Sequence, residues 1–415
     1  MRETYPRWQS DAITNALTSR RVILLEGPRQ CGKTTLARHV AKDGEGAVYR
    51  TLDDQTLLNS ALDDPHGFVA HGDNLMIIDE VQRAPALLTA VKKDVDENQA
   101  PGRFILTGSA NIQSLPKVSE SLAGRVRKIR LRPLCEGEME RTHPRFLERM
   151  FSGDLRSMPV SSLTKDDYLI RALRGGFPEA VRLGDARERQ LWHRDYLDAL
   201  IERDLKDIAK IRRQDSLLKL IEALAAWSSK FMDISAIGAP LSLTHGTLES
   251  YINAIETLYL VDRVRPWTKT DYARVGKKDK LFMADTGLMA SCLNWSLDKV
   301  RLDGELNGKL IETFVYTQLA ALIDIGAGKY SLSHYRDREQ REVDFLIEGA
   351  DNAIVGIEVK AGTHIDSESF KHLKWFKANM AAGSSFTGIV LYSGEHTVPF
   401  GDKMWAVPTC ALWCA

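Results

Sequence analysis

The feature that most constrains the fold of this sequence is an apolar run followed directly by a glycine-rich loop. Val22–Leu25 consists of aliphatic side chains and leads into the pattern Gly27-x-x-x-x-Gly32-Lys33-Thr34, after which a helical pattern begins. This order of strand, loop and helix is the context in which such a loop cradles the phosphates of a nucleotide. The sequence therefore predicts an α/β domain with a parallel sheet and a nucleotide site.

The residue types of the loop each have a chemical reason to be there. Glycines let backbone N–H groups close around the α- and β-phosphates, and the following helix points its positive N-terminal end at the same anion. Lys33 would reach the β- and γ-phosphates, and the Thr34 hydroxyl would hold Mg²⁺. A turn that merely joined a strand to a helix would explain neither side chain. We expect ATP to contact Gly27, Pro28, Arg29, Gln30, Cys31, Gly32, Lys33, Thr34 and Thr35.

A second apolar run, Leu75–Ile78, ends in two carboxylates, Asp79 and Glu80. A fully apolar strand is typical of a parallel sheet that is buried on both faces, and ligands bind where such strands end. Asp79 is predicted to hold Mg²⁺ through its water shell, and Glu80 to polarise the attacking water. The alternative is a solvated acidic turn.

A third apolar strand, Phe104–Leu106, is followed by Thr107-Gly108-Ser109. A hydroxyl at the end of this strand would sense the γ-phosphate or help to place the water, and Ser109 is the candidate that we include in the site. The alternative interpretation is a simple turn residue.

Composition sets limits on the class of protein. A chain of 415 residues is too long for one core, which predicts two or three domains. Lys and Arg number 56, as do Asp and Glu, so no global charge attracts nucleic acid or membranes. The five cysteines lack metal-ligand spacing, and neither a signal-like segment nor a membrane-length apolar run is present. We expect a cytoplasmic protein without membrane contact.

These motifs together resemble the AAA+ ATPases. More closely, they resemble bacterial and archaeal ATPases in which an AAA-type domain precedes a domain of unknown function, the DUF4143 group. The signatures that carry the resemblance are Gly27-Pro28-Arg29-Gln30-Cys31-Gly32-Lys33-Thr34, Ile77-Ile78-Asp79-Glu80, Leu106-Thr107-Gly108-Ser109, Leu122-Ala123-Gly124-Arg125 and Arg174-Gly175-Gly176-Phe177-Pro178-Glu179.

The resemblance implies two arginine roles. Arg125 would act as a finger on the γ-phosphate, often from a neighbouring subunit, which would require a homo-oligomer. The alternative is that Arg125 belongs to the basic face of the strand Val126–Leu131. Residues 135–212 would form the helical lid of the ATPase, and Arg174 would be a second sensor in it. For Arg174 the alternative is a helix-terminal cation beside a glycine cap.

Residues 213–300 show the pattern of three helices followed by two strands, which favours a winged-helix-like segment. Its third helix, His245–Leu258, carries acidic residues and neither Lys nor Arg, which suits DNA poorly. The expected wing is rich in basic and aromatic residues, which suits contact with a nucleic-acid backbone, although a solvated loop is the alternative. These residues are Arg263, Arg265, Trp267, Lys269, Arg274, Lys277, Lys278 and Lys280.

The last part of the chain brings together residues of a different chemistry. Glu358 and Lys360 are two apart on an alternating strand and share one face. A hairpin with a turn at 350–352 would place Asp344 opposite Glu358. Together with Glu312 on a helix, this set resembles the PD-(D/E)xK nuclease fold. The resemblance implies that Glu312, Asp344 and Glu358 hold Mg²⁺, or Mn²⁺, and that Lys360 helps to generate the hydroxide. A solvated strand face is the alternative.

The sequence thus predicts four parts: an AAA+-like ATPase domain (1–134), a helical lid (135–212), a winged-helix-like segment (213–300) and a restriction-endonuclease-like α/β domain (301–415). The function predicted is Mg²⁺-dependent ATP hydrolysis coupled to engagement of nucleic acid, with DNA cleavage by Asp344, Glu358 and Lys360 left open. One alternative is an ATPase switch that binds a protein partner and carries an inert nuclease-like scaffold. Another is a DNA-binding regulator controlled by ATP.

Overall fold

The computed structural model describes residues 4–42, 46–108, 124–143, 145–153, 155–156, 158, 160–205, 214–241, 243–269, 277–326 and 328–414. The chain divides into two compact units. The first comprises Met1–Leu134 with Ala254–Leu260, and the second comprises Cys135–Asn253 with Val261–Ala415. Each unit contains its own β-sheet. None of the helices in the described ranges is both long and apolar enough to cross a membrane.

The strands are β1 Val22–Glu26, β2 Val48–Thr51, β3 Met76–Asp79, β4 Phe104–Gly108, β5 Val126–Arg130, β6 Lys230–Phe231, β7 Val261–Pro266, β8 Lys280–Met283, β9 Ser331–Arg336, β10 Glu342–Glu348, β11 Ile354–Lys360, β12 Phe386–Tyr392, β13 Val398–Pro399 and β14 Met404–Pro408. The helices are α1 Gln9–Leu17, α2 Lys33–Lys42, α3 Gln55–Asp63, α4 Pro65–Val69, α5 Ala86–Glu97, α6 Glu136–Glu140, α7 Phe146–Ser152, α8 Lys165–Arg174, α9 Pro178–Arg182, α10 Ala186–Leu200, α11 Gln214–Trp227, α12 Ile234–Gly238, α13 His245–Thr257, α14 Thr286–Cys292, α15 Leu297–Leu302, α16 Gly304–Ile325, α17 Lys371–Asn379 and α18 Ala411–Cys414.

The sheet of the first unit is entirely parallel and has the order β2-β3-β4-β1-β5. The strand β4 therefore lies between β1, which leads into the glycine-rich loop, and β3, which ends in Asp79. All five residues of β1 are buried, as expected for a parallel strand that is covered on both faces.

Alternate residues of the central strands enter two separate cores. Val22 and Leu24 belong to the cluster on one face, and Ile23 and Leu25 belong to the cluster on the other. Because side chains alternate along a strand, an unbroken apolar run supplies both cores. The prediction of a parallel α/β domain at this point in the chain is confirmed.

The second unit contains a mixed nine-stranded sheet with the order β13-β14-β12-β11-β10-β9-β7-β8-β6. The two strands expected to form a wing, β7 and β8, do pair in antiparallel fashion. However, β7 also pairs in parallel with β9, through Arg265 and Ser333, so both strands belong to the sheet of the C-terminal part. The expected wing would contain β7 and β8 alone. It is instead part of a larger sheet, because β9, which is distant in sequence, pairs with the second edge of β7.

The hairpin of β10 and β11 has the register that places Asp344 opposite Glu358, since Phe345 pairs with Ile357. A short 3-10 turn at Ala350–Asn352 connects the strands, as expected. Asp303 precedes the first residue of α16 and caps the helix, since its side chain accepts hydrogen bonds from two backbone N–H groups of the first turn.

Candidate nucleotide site and carboxylate cluster

The loop after β1 adopts backbone conformations that favour glycine. Gly27 has a φ of +152° and Gly32 has a φ of +100°. A Cβ atom on Gly27 would lie 2.0 Å from the carbonyl oxygen of Leu131, so a larger residue there would require a backbone shift. The glycines therefore shape a tight turn of the kind in which backbone N–H groups converge on an anion.

Lys33 lies at the start of α2 and its side chain is directed at the loop itself. Its Nζ donates hydrogen bonds to the carbonyl oxygens of Gly27, at 3.0 Å, and Pro28, at 2.8 Å. The residue is buried, although lysine is rarely found buried without a partner. The ammonium is thus positioned at the loop by hydrogen bonds that a phosphate oxygen would be able to replace.

The loop is also braced from the N-terminal segment. The guanidinium of Arg7 donates to the carbonyl oxygen of Cys31, at 2.7 Å, and to that of Arg132, at 2.6 Å. The Cys31 thiol points in the same direction and donates to the carbonyl oxygen of Leu131, at 3.5 Å. Among the other loop residues, Gln30 and Thr35 are exposed and Arg29 is half-buried.

Asp79, at the end of β3, accepts three side-chain hydrogen bonds. Its Oδ2 accepts from the Thr34 hydroxyl at 2.8 Å and from the Tyr49 hydroxyl at 2.7 Å, and its Oδ1 accepts from the Thr107 hydroxyl. The structure therefore brings Thr34 and Asp79 together, as their predicted shared role requires. A hydroxyl and a carboxylate are hard oxygen ligands of the kind that Mg²⁺ prefers, so this pair fits the ion that the resemblance to AAA+ ATPases implies.

Glu80 follows Asp79 in a left-handed conformation, with a φ of +59°, which breaks the strand. Its backbone N–H donates to the Thr107 hydroxyl at 3.3 Å, and its carboxylate accepts from the Gln82 side chain. The sequence pattern identified Glu80 but not these partners. The side-chain amide of Gln82 therefore orients the Glu80 carboxylate just beyond the end of β3. Glu80 is only half-buried.

Thr107 is a candidate functional residue that was not selected from the sequence. It is fully buried at the end of β4, and it touches both Asp79 and the amide of Glu80. The candidate that we included from this motif, Ser109, lies outside the described residues. The sequence shows two hydroxyl residues, Thr107 and Ser109, at the end of an apolar run and does not distinguish between them. The position of β4 between β1 and β3 identifies Thr107 as the neighbour of Asp79.

Arg125 and the loop lie at opposite ends of the parallel strands of the first sheet. It immediately precedes β5, and Val126 pairs with Val22 at the start of β1, whereas the loop follows the end of β1. Its guanidinium forms a bidentate ion pair with Asp96, with an Nε–Oδ1 distance of 2.5 Å, and this pair holds the pKa of Asp96 below its usual range. Within one chain, Arg125 and the loop are therefore separated by the length of a strand.

Arg174 lies in the second unit at the end of α8. Its guanidinium donates to Oε1 of the buried Glu136 at 2.5 Å, and Arg171 donates to the other carboxylate oxygen. Two arginines around one buried carboxylate are typical of a structural ion-pair network. The sensor role of Arg174 stays a prediction.

In the second unit, two of the three predicted metal ligands, Glu312 and Asp344, lie beside a lysine, together with Glu342, which the sequence did not single out. Nζ of Lys280, on β8, lies 2.6 Å from Oε1 of Glu312, 2.7 Å from Oε1 of Glu342 and 3.4 Å from Oδ1 of Asp344. Only 2% of the Lys280 side chain is exposed. Within the described ranges, no group of three or more His, Cys, Asp and Glu side chains is arranged to hold a metal ion. As they stand, Glu312 and Asp344 fit an ammonium and not a divalent ion.

Glu358 lies at the end of this cluster. Only 7% of the residue is exposed, and Oδ2 of the opposite Asp344 accepts a hydrogen bond from the Val359 backbone N–H at 2.9 Å. Nζ of Lys360 lies 3.8 Å from Oε2 of Glu358, and the Lys360 side chain is almost half exposed. The structure thus brings together Asp344, Glu358 and Lys360, as predicted from the hairpin register.

Burial and neighbouring carboxylates change the protonation of this cluster. Burial raises the pKa of Glu358 well above its ordinary value, and the nearby Asp344 carboxylate raises it further. Burial also raises the pKa of Glu312 to about 8, although Lys280 opposes the rise. Glu312 and Glu358 therefore carry less negative charge than the same carboxyl groups would have in water.

The basic and aromatic residues predicted to contact nucleic acid have different environments. The prediction that Lys280 and Trp267 lie on an exposed wing is wrong, because both side chains are buried in the interior of the second unit. Lys278 is exposed and forms an ion pair with Asp233 at 2.7 Å. Arg265 and Lys277 are exposed as well. Arg274 lies outside the described residues.

Three family models match successive parts of the chain. A model described as an AAA domain matches residues 19–140. This part of the chain is similar to an AAA domain. Two models described as domains of unknown function, DUF8612 and DUF4143, match residues 165–299 and 307–412. The AAA-domain match covers the glycine-rich loop and the Asp79 motif, whereas the DUF4143 match covers Glu312, Asp344 and Glu358.

Similar proteins span almost the whole chain. An uncharacterized protein of Mycobacterium tuberculosis is 29% identical over 407 residues, which are 95% of this chain and 82% of that protein. An uncharacterized protein of Methanocaldococcus jannaschii is 22% identical over 428 residues, or 96% of this chain and 88% of that protein.

Among solved structures, a Walker-type ATPase of Pyrococcus abyssi matches with a TM-score of 0.38 and 14% identity, covering 68% of this chain and 94% of that chain. The RuvB Holliday junction branch migration motor of Thermotoga maritima matches with a TM-score of 0.28 and 18% identity, covering 65% of this chain and 93% of that chain.

Proposed function

We propose that the AAA domain of this chain binds ATP with Mg²⁺ and hydrolyses it. The observation that carries the proposal is the convergence of Lys33, Thr34 and Asp79 at the ends of β1 and β3. Lys33 would exchange its loop carbonyls for the β- and γ-phosphates. Thr34 and Asp79 would hold Mg²⁺, which neutralises phosphate charge when it is bound. Glu80 would accept the proton of the attacking water, while Thr107 keeps the Glu80 backbone in place.

The test is a comparison of ATP hydrolysis by the parent protein and a Lys33→Ala variant. We expect turnover to fall by at least about a hundredfold, because the interaction with the transferred phosphate is lost. A matched control is Lys93→Ala, since Lys93 is an exposed residue of α5 in the same unit. Turnover at the parental rate in Lys33→Ala would contradict the proposal.

We further propose that the nucleotide state of the AAA domain governs engagement of DNA by the second unit. Exposed basic residues of this unit, including Arg265, Lys277 and Lys360, support a contact with a phosphate backbone. Cleavage would depend on Asp344, Glu358 and Lys360. The ammonium of Lys280 among the carboxylates favours binding over cleavage, because it neutralises charge that a metal ion would need.

A protein partner is the second candidate, and it is favoured by α13, which contains acidic residues and no Lys or Arg. Plasmid and single-stranded DNA are incubated with the protein in Mg²⁺ or Mn²⁺, beside Lys360→Ala and the exposed control Lys371→Ala. We expect an ATP-dependent mobility shift without cleavage. Cleavage by the parent and the control but not by Lys360→Ala would identify a nuclease, whereas the absence of both a shift and cleavage would favour the protein partner.

A further inference from the structure

The carboxylate cluster of the second unit already contains a cation. We infer that the Lys280 ammonium is the resident cation of the cluster formed by Glu312, Glu342 and Asp344, and that it takes the place of the divalent metal ion that the nuclease resemblance implies. The inference concerns the second unit alone and does not depend on ATP hydrolysis by the first.

The geometry suits an ammonium group. Nζ of Lys280 donates hydrogen bonds to Oε1 of Glu342 at 2.7 Å and to Oδ1 of Asp344 at 3.4 Å, and it forms an ion pair with Oε1 of Glu312 at 2.6 Å. Mg²⁺ requires six oxygens at about 2.1 Å in octahedral geometry. A divalent ion among the same oxygens would also lie close to a fixed positive charge, which would repel it.

The packing keeps the ammonium in place. Lys280 is on β8, between β7 and β6, where it pairs with Val264 on one side and Phe231 on the other. Its Nζ lies 5.6 Å from the ring centroid of Phe231 and 5.9 Å from that of Phe282. Two aromatic rings therefore lie beside the ammonium, and only 2% of the Lys280 side chain is exposed.

Protonation is consistent with a permanent cation. Burial alone would lower the pKa of Lys280, but Glu312, Asp344 and Glu342 raise it above its ordinary value. The neighbouring His334 responds in the opposite direction, since burial and the Lys280 charge lower its pKa to about 3. At neutral pH the cluster therefore contains one ammonium and a neutral imidazole beside it.

The first test is made on the nucleotide-free parent protein by isothermal titration with Mn²⁺, beside an Asp344→Asn variant. We expect the two isotherms to coincide, because Glu312, Glu342 and Asp344 already contact the Lys280 ammonium. One Mn²⁺ per chain that binds to the parent and is lost in Asp344→Asn would overturn the inference.

The second test replaces the ammonium. We expect Lys280→Met to gain an Mn²⁺ site at least about tenfold tighter than any site of the parent, and to lose it again when Asp344→Asn is added. The control Lys278→Met removes a nearby exposed ammonium and should gain nothing. A folded Lys280→Met protein that binds Mn²⁺ no better than the parent would contradict the inference. If Lys280→Met does not fold, the titration of the parent still decides, and ATP turnover tests the first unit separately.

Discussion

The hydroxyl of Tyr49 donates a hydrogen bond to Oδ2 of Asp79 at 2.7 Å, the same oxygen that accepts from Thr34. The guanidinium of Arg38 lies 4.1 Å from the centroid of the Tyr49 ring and holds that ring from the other side. Burial and the Asp79 hydrogen bond raise the pKa of Tyr49, so it remains a donor at neutral pH. A carboxylate that is oriented by a neighbouring donor binds a metal ion with less reorganisation.

Tyr49→Phe is therefore expected to raise the Mg²⁺ concentration for half-maximal ATP hydrolysis by roughly tenfold. The rate at saturating Mg²⁺ should change much less, because Phe keeps the ring and its contact with Arg38. A titration of ATP turnover against Mg²⁺ measures both quantities. Tyr330→Phe, in the second unit, is the control, and an unchanged Mg²⁺ dependence in Tyr49→Phe would contradict the role.

Thr107→Val is expected to lower the rate constant of ATP hydrolysis by about tenfold or more while ATP affinity stays similar. The reason is that valine has the shape of threonine but leaves Oδ1 of Asp79 and the Glu80 amide without the hydroxyl. Thr107→Ser keeps the hydroxyl and should restore most of the rate. Single-turnover kinetics separate the two effects, and equal rates in Thr107→Val and the parent would refute the positioning role.

Arg125 is expected to act on ATP only in another copy of the chain, since it lies at the opposite end of the parallel strands from the loop. Lys33→Ala and Arg125→Ala should each hydrolyse ATP poorly, and a mixture of the two should recover activity at interfaces that combine an intact site with an intact arginine. Mixing experiments over a range of protein concentrations measure this. Parental turnover by Arg125→Ala alone would show that the residue has no role in ATP hydrolysis.

His334 is expected to make the protein less stable in acid. Burial and Lys280 lower its pKa to about 3 in the folded state, whereas an unfolded histidine has a pKa of about 6.5. The unfolded state therefore binds more protons between these values, so the free energy of unfolding falls as the pH drops below about 6.5. Between pH 6.5 and pH 5 this single group contributes a loss of roughly 2 kcal/mol.

The measurement is the free energy of unfolding by urea at several pH values for the parent and His334→Gln. The pH slope should be shallower in the variant, because glutamine cannot be protonated. His396→Gln serves as the control, since that side chain is exposed. Identical slopes in the parent and His334→Gln would exclude the buried imidazole as the cause.

Gly175 and Gly153 provide a matched pair, because both have a positive φ, of +70° and +77°. A Cβ on Gly175 would lie 2.5 Å from Oδ1 of Asp285 and 2.8 Å from Cα of Gly287, whereas nothing lies within 4 Å of a Cβ on Gly153. We expect Gly153→Ala to cost about 1 kcal/mol of stability from backbone strain, and Gly175→Ala to cost at least about 3 kcal/mol. Equal losses in denaturant unfolding would show that the close contact is relieved easily.

The sequence by itself determined the features that depend on neighbouring residues. The strand Val22–Glu26, the loop ending in Lys33 and the strand ending in Asp79 were all predicted, because an apolar run and its flanking loop are local patterns. The pairing of Asp344 with Glu358 was also predictable, since a hairpin with a short turn fixes which residues lie opposite each other.

Only the tertiary structure decided which distant residues join those features. Insertion of β4 between β1 and β3 brings Thr107 to Asp79, and pairing of β7 with β9 carries β8 into the C-terminal sheet, where Lys280 meets Glu312 and Asp344. The order of strands in a sheet depends on which edges pair, and the alternation of side chains along each strand is the same for every order. The periodicity of the sequence therefore identifies the strands but contains no information about which buried cation lies among the carboxylates.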